Sequence, residues 1–212
     1  MIDEALFQYC VDYSSPEDDI LAYINRQTHL KVLKPRMLSG PVQGKFLELI
    51  SKLHRPQLAL EIGTYTGYAT ICMARGLGKG GKIVTLDINE ELENMVSGFF
   101  RKSGLQDCID YRIGNALELI PEIEGNFDLV FIDADKTNYA EYYDMVVERM
   151  NDGGIILADN ILWSGKVLAK YRKKLDKDTK AILDFNEKVL NDPRVENVIL
   201  PIRDGIMMAK KI

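Results

Sequence analysis

The sequence predicts an α/β fold in which helices cover both faces of a mostly parallel sheet. From residue 57 onward, short apolar runs alternate with segments of helical periodicity, as expected for parallel strands joined by right-handed crossovers. The apolar runs at 129–132 and 155–158 do not alternate with polar residues, which is typical of strands buried on both faces. Near the C-terminus, two further apolar runs flank the short connection 201–205, and this arrangement favours an antiparallel pair.

Helical segments are predicted ahead of the sheet. The first is amphipathic and covers 1–13. The second begins at Ser14-Ser15-Pro16, where a serine caps the helix and the proline takes its first position, and it fades near Arg26. The third follows Pro41 and ends at Arg55-Pro56, because a residue before proline disfavours the helical conformation.

Within the sheet region, helices are predicted at about 66–77, 90–103, 138–150 and 176–191, and strands near 57–62, 82–87, 109–113, 127–132, 153–158, 195–200 and 205–211. A chain of 212 residues is long enough for one sizeable domain. We therefore expect a single domain over 1–212, with a helical extension at 1–56 and the sheet core at 57–212.

The composition restricts the class of partner. The 27 basic and 32 acidic residues give a net charge of -5, which offers no basic surface for nucleic acid or an anionic membrane, so a small-molecule partner is expected. The 3 cysteines form no C-x-x-C pair, which argues against disulfides and a thiolate zinc site and fits a reducing cytoplasm. There is also no bilayer-spanning apolar run, and Asp3 and Glu4 stand where a signal peptide would begin with basic residues.

The segment 58–67, LALEIGTYTG, is typical of a strand that leads into a nucleotide-binding turn. Gly63 and Gly67 can adopt backbone angles that other residues avoid, and the residues from Thr66 onward are predicted to be helical. The negative charge of Glu61 would repel a diphosphate and hold a cationic or amino-bearing ligand. The absence of the G-x-G-x-x-G spacing of dinucleotide-binding proteins points the same way.

Polar residues also follow the other predicted strands, where an open parallel sheet binds its ligand. Asp87 ends the second strand, and it is suited equally to binding a ribose and to capping the next helix. Asp133-Ala134-Asp135-Lys136 and Asp159-Asn160 end the fourth and fifth strands. If these strands are neighbours, the side chains form an all-oxygen site for Mg²⁺, Mn²⁺ or Ca²⁺. Alternatively, the two aspartates cap the following helices and Lys136 neutralises them.

Two further side chains are candidates for contact with a substrate. Beside a bound dication, Lys136 could take a proton from a substrate hydroxyl, although most lysines are solvated surface charges. Trp163 is the single tryptophan of the sequence. It could form the wall of an apolar substrate pocket or could simply be half-buried. Neither His29 nor His54 accompanies a nucleophile elbow, so a Ser-His-Asp hydrolase finds no support.

Three motifs together resemble a known family. The segments 61–68 (EIGTYTGY), 131–136 (FIDADK) and 158–160 (ADN, with Trp163) are similar to the cation-dependent, S-adenosylmethionine-dependent O-methyltransferases of the catechol and caffeoyl-coenzyme A type. The likeness covers nearly the whole chain, from Met37-Leu38-Ser39 to Asp204-Gly205. It implies the Rossmann-like class I methyltransferase fold, a seven-stranded, mostly parallel sheet with an antiparallel last strand.

The resemblance also implies roles for individual residues. Asp133, Asp159 and Asn160 would bind the metal, and Lys136 would be the catalytic base. The acceptor would contact Lys136, Trp163 and Asp204. Residues near the methionine part of S-adenosylmethionine would be Met37, Glu61, Gly63, Tyr65, Gly67, Tyr68, Ala69, Asp133 and Asp135, with Asp87 at the ribose and Ala116 near the adenine.

These inferences predict an O-methyltransferase that acts on one oxygen of a vicinal dihydroxyaromatic compound. The alternatives are a nicotinamide-dependent dehydrogenase, which Glu61 and the missing glycine fingerprint disfavour, and a non-catalytic binding protein, which the residues at the strand ends disfavour. The apolar faces of 1–13 and 16–26 favour a homodimer, helped by relatives that pair, although these segments could instead form a lid over the ligand crevice.

Overall fold

The computed structural model describes residues 3–168, 170 and 175–212. Its strands are β1 Leu58–Ile62, β2 Lys82–Asp87, β3 Ile109–Ile113, β4 Phe127–Ile132, β5 Met150–Asp159, β6 Val195–Leu200 and β7 Ile206–Lys211. Its α-helices are α1 Glu4–Asp12, α2 Asp19–Lys31, α3 Gly40–His54, α4 Tyr68–Ala74, α5 Glu93–Ser103, α6 Ala116–Leu119, α7 Tyr139–Val147 and α8 Lys177–Leu190. Short 3-10 turns lie at Pro35–Met37, Glu90–Leu92, Gln106–Cys108, Ile120–Glu122, Lys136–Asn138 and Trp163–Gly165.

The strands form a 7-stranded sheet in the order β3-β2-β1-β4-β5-β7-β6. The pairs β1–β2, β2–β3 and β4–β5 are parallel, whereas β7 runs antiparallel to both β5 and β6. The predicted fold, a mostly parallel sheet with an antiparallel last strand and surrounding helices, is therefore confirmed. The chain groups into two compact units, one that ends at Ala116 and one that begins at Leu117, and each is described by itself below.

The unit that ends at Ala116 contains the parallel strands β1 to β3. Ile62 pairs with Leu86, and Asp87 pairs with Ile113, so the three strands end at the same edge. Every residue of α4 is buried, which explains why this helix is apolar around its whole circumference. The edge of β1 and the start of α4 thus form a rigid base for the turn between them.

In the unit that begins at Leu117, β5 lies between β4 and β7. Ile132 pairs with Ala158, and Asp159 pairs with Ile206. The aromatic ring of Phe185 on α8 packs edge-on against Tyr139 and Tyr143 of α7, with ring centroids 5.4 and 6.1 Å apart. These contacts hold α7 and α8 together below the ends of β4 and β5.

Several predicted helix boundaries are wrong. The second helix begins at Asp19 rather than at Pro16, because the side chain of Asp18 accepts the N–H of Leu21 and caps it. It continues past Arg26 to Lys31, because Thr28 extends its buried face. The helix predicted from residue 66 begins at Tyr68, since Gly67 has a left-handed backbone conformation (φ 74°).

The fifth strand is longer than predicted. It begins at Met150, which pairs with Phe127 ahead of a register shift. Among the described residues, no helix is long and apolar enough to cross a membrane. The cytoplasmic location and the single-domain organisation stay predictions.

Candidate active site

The glycine turn, residues 63–67, follows β1 directly. Most of its main-chain N–H groups donate within the protein: Gly63 and Thr64 to Leu86 O (2.9 and 3.1 Å), Tyr65 to Asp87 Oδ2 (2.6 Å) and Gly67 to Thr64 O (2.8 Å). A turn that cradles phosphate instead points such N–H groups at the ligand. The glycine turn is therefore poorly suited to a diphosphate, as the sequence predicted.

Backbone conformation explains the glycines of this turn. Gly63 and Gly67 have φ values of 104° and 74°, which favour glycine. A Cβ atom on Gly67 would also lie 2.6 Å from the ring of Phe100. Tyr65 adopts a positive φ of 50° although it is not glycine. Its N–H bonds Asp87 and its hydroxyl donates to Lys34 O at 2.9 Å, and these contacts stabilise the conformation.

Glu61 lies below the glycine turn and is fully buried. Its Oε2 accepts hydrogen bonds from the hydroxyls of Thr70 and Thr85. The Thr85 hydroxyl in turn lies 2.6 Å from the hydroxyl of Thr64, a residue of the turn. Glu61 thus presents no surface of its own, and hydrogen bonds connect it through Thr85 to the turn.

Asp87 ends β2 and is half-buried. Its Oδ2 accepts the N–H of Tyr65, and its Oδ1 accepts the N–H of Asn89 at 2.9 Å. The second bond is a local contact between residues two positions apart and not a helix cap, since Asn89 caps the following 3-10 turn by accepting the N–H of Glu91. The same carboxylate also holds the glycine turn, so it lies at the strand edge where a ribose would bind.

The other residues predicted to contact the methyl donor in this unit surround the turn or follow a strand. Tyr68 and Ala69 are buried in the first turn of α4, and the Tyr68 hydroxyl donates to Glu17 Oε1 at 2.5 Å. Burial, together with the hydrogen bond to Glu17, raises the pKa of Tyr68 far above its usual value, so this hydroxyl stays protonated. Met37 is 52% exposed in a 3-10 turn, and Ala116 is buried at the start of α6.

In the second unit, polar residues follow strands β4 and β5. Because Ile132 pairs with Ala158, Asp133 and Asp159 come next at facing positions of β4 and β5. Asp159 is buried, and its Oδ1 accepts the N–H of Asn160 at 2.7 Å. Asn160 has a left-handed φ of 62°, which turns the chain out of the strand. We call Asp133, Asp159 and Asn160 the strand-end cluster.

Lys136 lies directly beside this cluster. Its Nζ is 3.2 Å from Asp133 Oδ1 and 2.6 Å from the hydroxyl oxygen of Tyr139. That hydroxyl lies 3.2 Å from Ile132 O and 3.1 Å from Asp159 O. Burial raises the pKa of Tyr139 well above its usual value, and the charges of Asp133 and Asp159 raise it further. The Tyr139 hydroxyl therefore stays protonated, donates a hydrogen bond to a carbonyl oxygen and accepts one from Lys136 Nζ.

The chemistry of the strand-end cluster fits a hard cation. Two carboxylates and one amide supply oxygen donors of the kind that Mg²⁺ and Mn²⁺ prefer. Within the ranges that the structure describes, no group of three or more His, Cys, Asp and Glu side chains is arranged to hold a metal ion. The strand-end cluster differs from such a group, because one of its three members is an asparagine. Metal binding by this set is thus a proposal that rests on donor chemistry.

Asp135 makes contacts of another kind. Its Oδ1 accepts the Tyr142 hydroxyl at 2.6 Å, and its Oδ2 accepts the Asn138 side-chain amide at 2.7 Å. Burial and the bond to Asp135 raise the pKa of Tyr142 above its usual value. In this structure, Asp135 therefore stabilises the start of α7, and its predicted proximity to the methyl donor stays a prediction.

Trp163 and Asp204 lie in two segments that contact each other. Asp204 Oδ1 accepts the N–H of Ser164 at 2.6 Å, and its main-chain oxygen accepts that of Leu162 at 2.9 Å. Trp163 and Ser164 both have positive φ values, 46° and 52°. The indole N–H of Trp163 is buried and has no hydrogen-bond partner among the described residues. Asp204 thus anchors the segment that carries the tryptophan.

Sequence reasoning missed two groups of residues at these strand ends. The spacing of Tyr139 within the predicted helix 138–150 indicates only a packed side chain, yet its hydroxyl contacts Lys136 and the ends of β4 and β5. Thr70 and Thr85 were not singled out, although both contact Glu61. A threonine within the apolar strand 82–87 was a usable signal, because it pairs with Glu61 in the sheet.

Comparisons with known proteins agree with this geometry. The sequence matches the O-methyltransferase family over residues 11–212. It is 34% identical to the caffeoyl-CoA O-methyltransferase of Eucalyptus gunnii over 99% of this chain and 88% of that protein. The structure resembles the O-methyltransferase from Bacillus cereus in complex with SAH (TM-score 0.90, 32% identity, 98% and 97% of the two chains). It also resembles a SAH-bound methyltransferase from Podospora anserina (TM-score 0.90, 26% identity, 99% and 94%).

The fold and the sequence match together define the class of protein. The chain belongs to the O-methyltransferase family. It is an S-adenosylmethionine-dependent O-methyltransferase, which confirms the predicted enzyme class and methyl donor. The matches favour this class over the nicotinamide-dependent dehydrogenase and the non-catalytic binding protein.

Proposed function

We propose that this enzyme methylates one hydroxyl of a vicinal dihydroxyaromatic compound, with a divalent cation bound by the strand-end cluster. The observation that carries the proposal is the position of Lys136, whose Nζ lies 3.2 Å from Asp133 and 2.6 Å from the Tyr139 hydroxyl. A base is thereby fixed beside an all-oxygen donor set. Relatives that are named caffeoyl-CoA O-methyltransferases support a phenolic acceptor of this kind.

A few residues of the second unit have separate parts in this reaction. Lys136 takes the phenolic proton at Nζ, and Asp133 and Tyr139 orient that nitrogen. The phenolic oxygen then bonds the methyl carbon while the carbon–sulfur bond breaks, which leaves a neutral thioether. When bound, Mg²⁺, or alternatively Mn²⁺ or Ca²⁺, would acidify the acceptor hydroxyl and align the two neighbouring oxygens. Trp163 and Asp204 would border the acceptor.

In the first unit, the glycine turn would bind the methionine part of S-adenosylmethionine. Gly63, Tyr65 and Gly67 belong to the turn itself, and Tyr68 and Ala69 begin the helix after it. Glu61 supplies negative charge from below, and Asp87 would accept hydrogen bonds from the ribose hydroxyls. Met37 and Ala116 complete the proposed set in this unit.

Removal of the metal tests the proposal. Treatment with EDTA should abolish turnover of a catechol and leave S-adenosylmethionine binding largely intact, and added Mg²⁺ or Mn²⁺ should restore turnover. Monophenols should be poor acceptors, because they offer one oxygen instead of two. Methylation of a catechol at the parent rate by metal-free protein would contradict the proposal.

Substitution of the base tests the role of Lys136. Lys136→Ala should slow the chemical step by roughly 10²–10⁴, the usual contribution of a positioned general base. The deficit should shrink as the pH rises, because the acceptor hydroxyl then ionises unaided. Lys188→Ala is a matched control, since this lysine pairs with Asp144 on the surface. Equal rates in the Lys136→Ala and Lys188→Ala proteins would exclude Lys136 as the base.

The proposal includes a homodimer. Helix α1 buries none of its residues, and Leu6, Tyr9 and Tyr13 are 59%, 58% and 77% exposed. A second copy that packs on this face would remove apolar surface from water. Light scattering at micromolar concentration should give the mass of a dimer, and Leu6→Ser with Tyr9→Ser should lower it. A monomer mass for the parent protein would refute this part.

A further inference from the structure

Two threonine hydroxyls compensate for the burial of Glu61. Glu61 is 0% exposed, and burial of a carboxylate is unfavourable unless its oxygens accept hydrogen bonds. Its Oε2 accepts from Thr70 and from Thr85, both of which are also 0% exposed. Oε2 therefore acts as a double acceptor, which suits a carboxylate oxygen.

The direction of the hydrogen bonds is fixed by the number of protons. A threonine hydroxyl carries one proton. Thr85 donates its proton to Glu61, so the Thr64 hydroxyl, 2.6 Å from that of Thr85, must be the donor to Thr85. The donors therefore run from Thr64 through Thr85 to Glu61. We call Glu61, Thr64, Thr70 and Thr85 the hydroxyl relay.

The elements that carry the relay are rigid. Glu61 and Thr85 are partners in the parallel ladder of β1 and β2, so the pair is fixed by the sheet. Thr70 belongs to α4, every residue of which is buried. Thr64 is 3% exposed and is the second residue of the glycine turn. Because consecutive hydrogen bonds polarise one another, the negative charge of Glu61 is felt at the turn.

Four of the five main-chain N–H groups of the glycine turn are already used within the protein. These are the N–H groups of Gly63, Thr64, Tyr65 and Gly67. A buried anion below such a turn attracts a positively charged ligand group. In S-adenosylmethionine and its demethylated product, the amino-acid end carries an ammonium group.

We propose that the hydroxyl relay makes the glycine turn selective for the amino-acid end of the methyl donor, with Thr70 and Thr85 as positioning residues. Neither threonine contacts the ligand. They hold the Glu61 carboxylate in place and couple it to Thr64. This proposal rests on the proposed binding of the methionine part at the glycine turn, and it does not depend on the metal or on the identity of the acceptor.

Two ligands that differ only at the amino-acid end test the proposal. S-adenosylhomocysteine has this end, and 5′-methylthioadenosine keeps the nucleoside and the sulfur but lacks it. In calorimetric titrations, Thr85→Val should weaken S-adenosylhomocysteine binding about tenfold and change 5′-methylthioadenosine binding less than about twofold, because the lost hydrogen bond serves a charged group. Thr85→Ser, which keeps the hydroxyl, should restore the parent affinity.

A matched control is Ser51→Ala, which removes a buried hydroxyl bonded to Met73 O at 2.6 Å in the same unit. It should leave the affinity ratio of the two ligands unchanged. Equal weakening of both ligands by Thr85→Val, or no weakening of either, would overturn the proposal. If circular dichroism shows that Thr85→Val does not fold, Thr70→Val removes the other hydroxyl on Glu61 and must change the same ratio.

Discussion

The Tyr139 hydroxyl lies 2.6 Å from Nζ of Lys136 and within 3.2 Å of the main-chain oxygens of Ile132 and Asp159. One buried side chain thus connects the proposed base to the ends of β4 and β5. The Nζ atom also lies 4.6 Å from the centroid of the Tyr139 ring, so both the ring and the hydroxyl contact it. The position of Lys136 is therefore determined by the sheet and not only by its own flexible chain.

We expect Tyr139→Phe to lower kcat by about 10–100-fold, because displacement of a catalytic group by about 1 Å reduces its effectiveness to this extent. The KM for S-adenosylmethionine should change little, since the ring and its packing remain. Tyr143→Phe is the matched control on the same helix, because its hydroxyl donates to Asp192 instead. Steady-state kinetics of the two variants with a catechol would show whether kcat falls only in Tyr139→Phe.

Gly67 should tolerate no larger residue. A Cβ atom there would lie 2.6 Å from the Phe100 ring. The backbone φ of 74° would also be strained for any residue other than glycine. Left-handed backbone costs about 1–2 kcal/mol and overpacking typically about 1–3 kcal/mol more, so Gly67→Ala should lower the free energy of unfolding by about 2–5 kcal/mol.

The control for Gly67→Ala is Gly80→Ala, which has a similar φ of 78° and no atom within 4 Å of the added Cβ. It should therefore show the backbone contribution alone, about 1–2 kcal/mol. Urea denaturation of both variants gives their losses in the free energy of unfolding, and the difference between the two losses is the contribution of the contact with Phe100. Equal losses would mean that the contact with Phe100 is relieved by movement of the ring.

Asp87 offers a way to separate ribose binding from support of the turn. Asp87→Ala removes the acceptor of the Tyr65 N–H as well as the proposed ribose contact, and S-adenosylhomocysteine binding should weaken by about 1–3 kcal/mol. Asp87→Asn keeps an acceptor oxygen for the Tyr65 N–H. If the ribose needs both carboxylate oxygens, calorimetry should find Asp87→Asn nearly as weak as Asp87→Ala. Parent affinity in Asp87→Asn would assign Asp87 to the turn alone.

Much of the sheet was predictable because burial on both faces leaves a strong signal in the sequence. The largely apolar run at 127–132 predicted the bounds of β4, and the residues that end the strands predicted the candidate site. Helix ends were less predictable, since they depend on single caps. Asp18, for instance, competes with nearby serines as the cap of α2, and the choice depends on which side chain reaches Leu21.

The contacts that the sequence could not reveal are those between buried polar groups. Tyr139 has the spacing of a core residue on α7, and only the structure shows that its hydroxyl reaches Lys136. Similarly, the pairing of Thr85 with Glu61 depends on the register of β1 and β2. Periodicity predicts which face a residue occupies but does not predict the partner of a polar atom.

Asp192 links α7 to the start of β6. Its carboxylate accepts from Arg194 Nε at 2.8 Å, from Arg194 Nη2 at 2.6 Å and from the Tyr143 hydroxyl at 2.8 Å. The side chain is 6% exposed. The hydrogen bonds from Arg194 lower the pKa of Asp192 well below its usual value, and burial opposes them only in part.

This shift predicts a specific loss of stability in acid. Because the pKa of Asp192 is lower in the folded chain than the unfolded value of about 3.9, its contribution to stability is complete above about pH 5 and is lost as the pH falls toward the folded value. Asp192→Asn should therefore lower the free energy of unfolding at pH 7 and make its decline between about pH 5 and pH 3 shallower than in the parent. Asp152→Asn, which changes an exposed carboxyl, should give a curve parallel to that of the parent. Urea denaturation across this pH range gives the free energy of unfolding of each variant. A curve for Asp192→Asn that is parallel to that of the parent would show that the pair of Asp192 with Arg194 does not contribute to acid sensitivity.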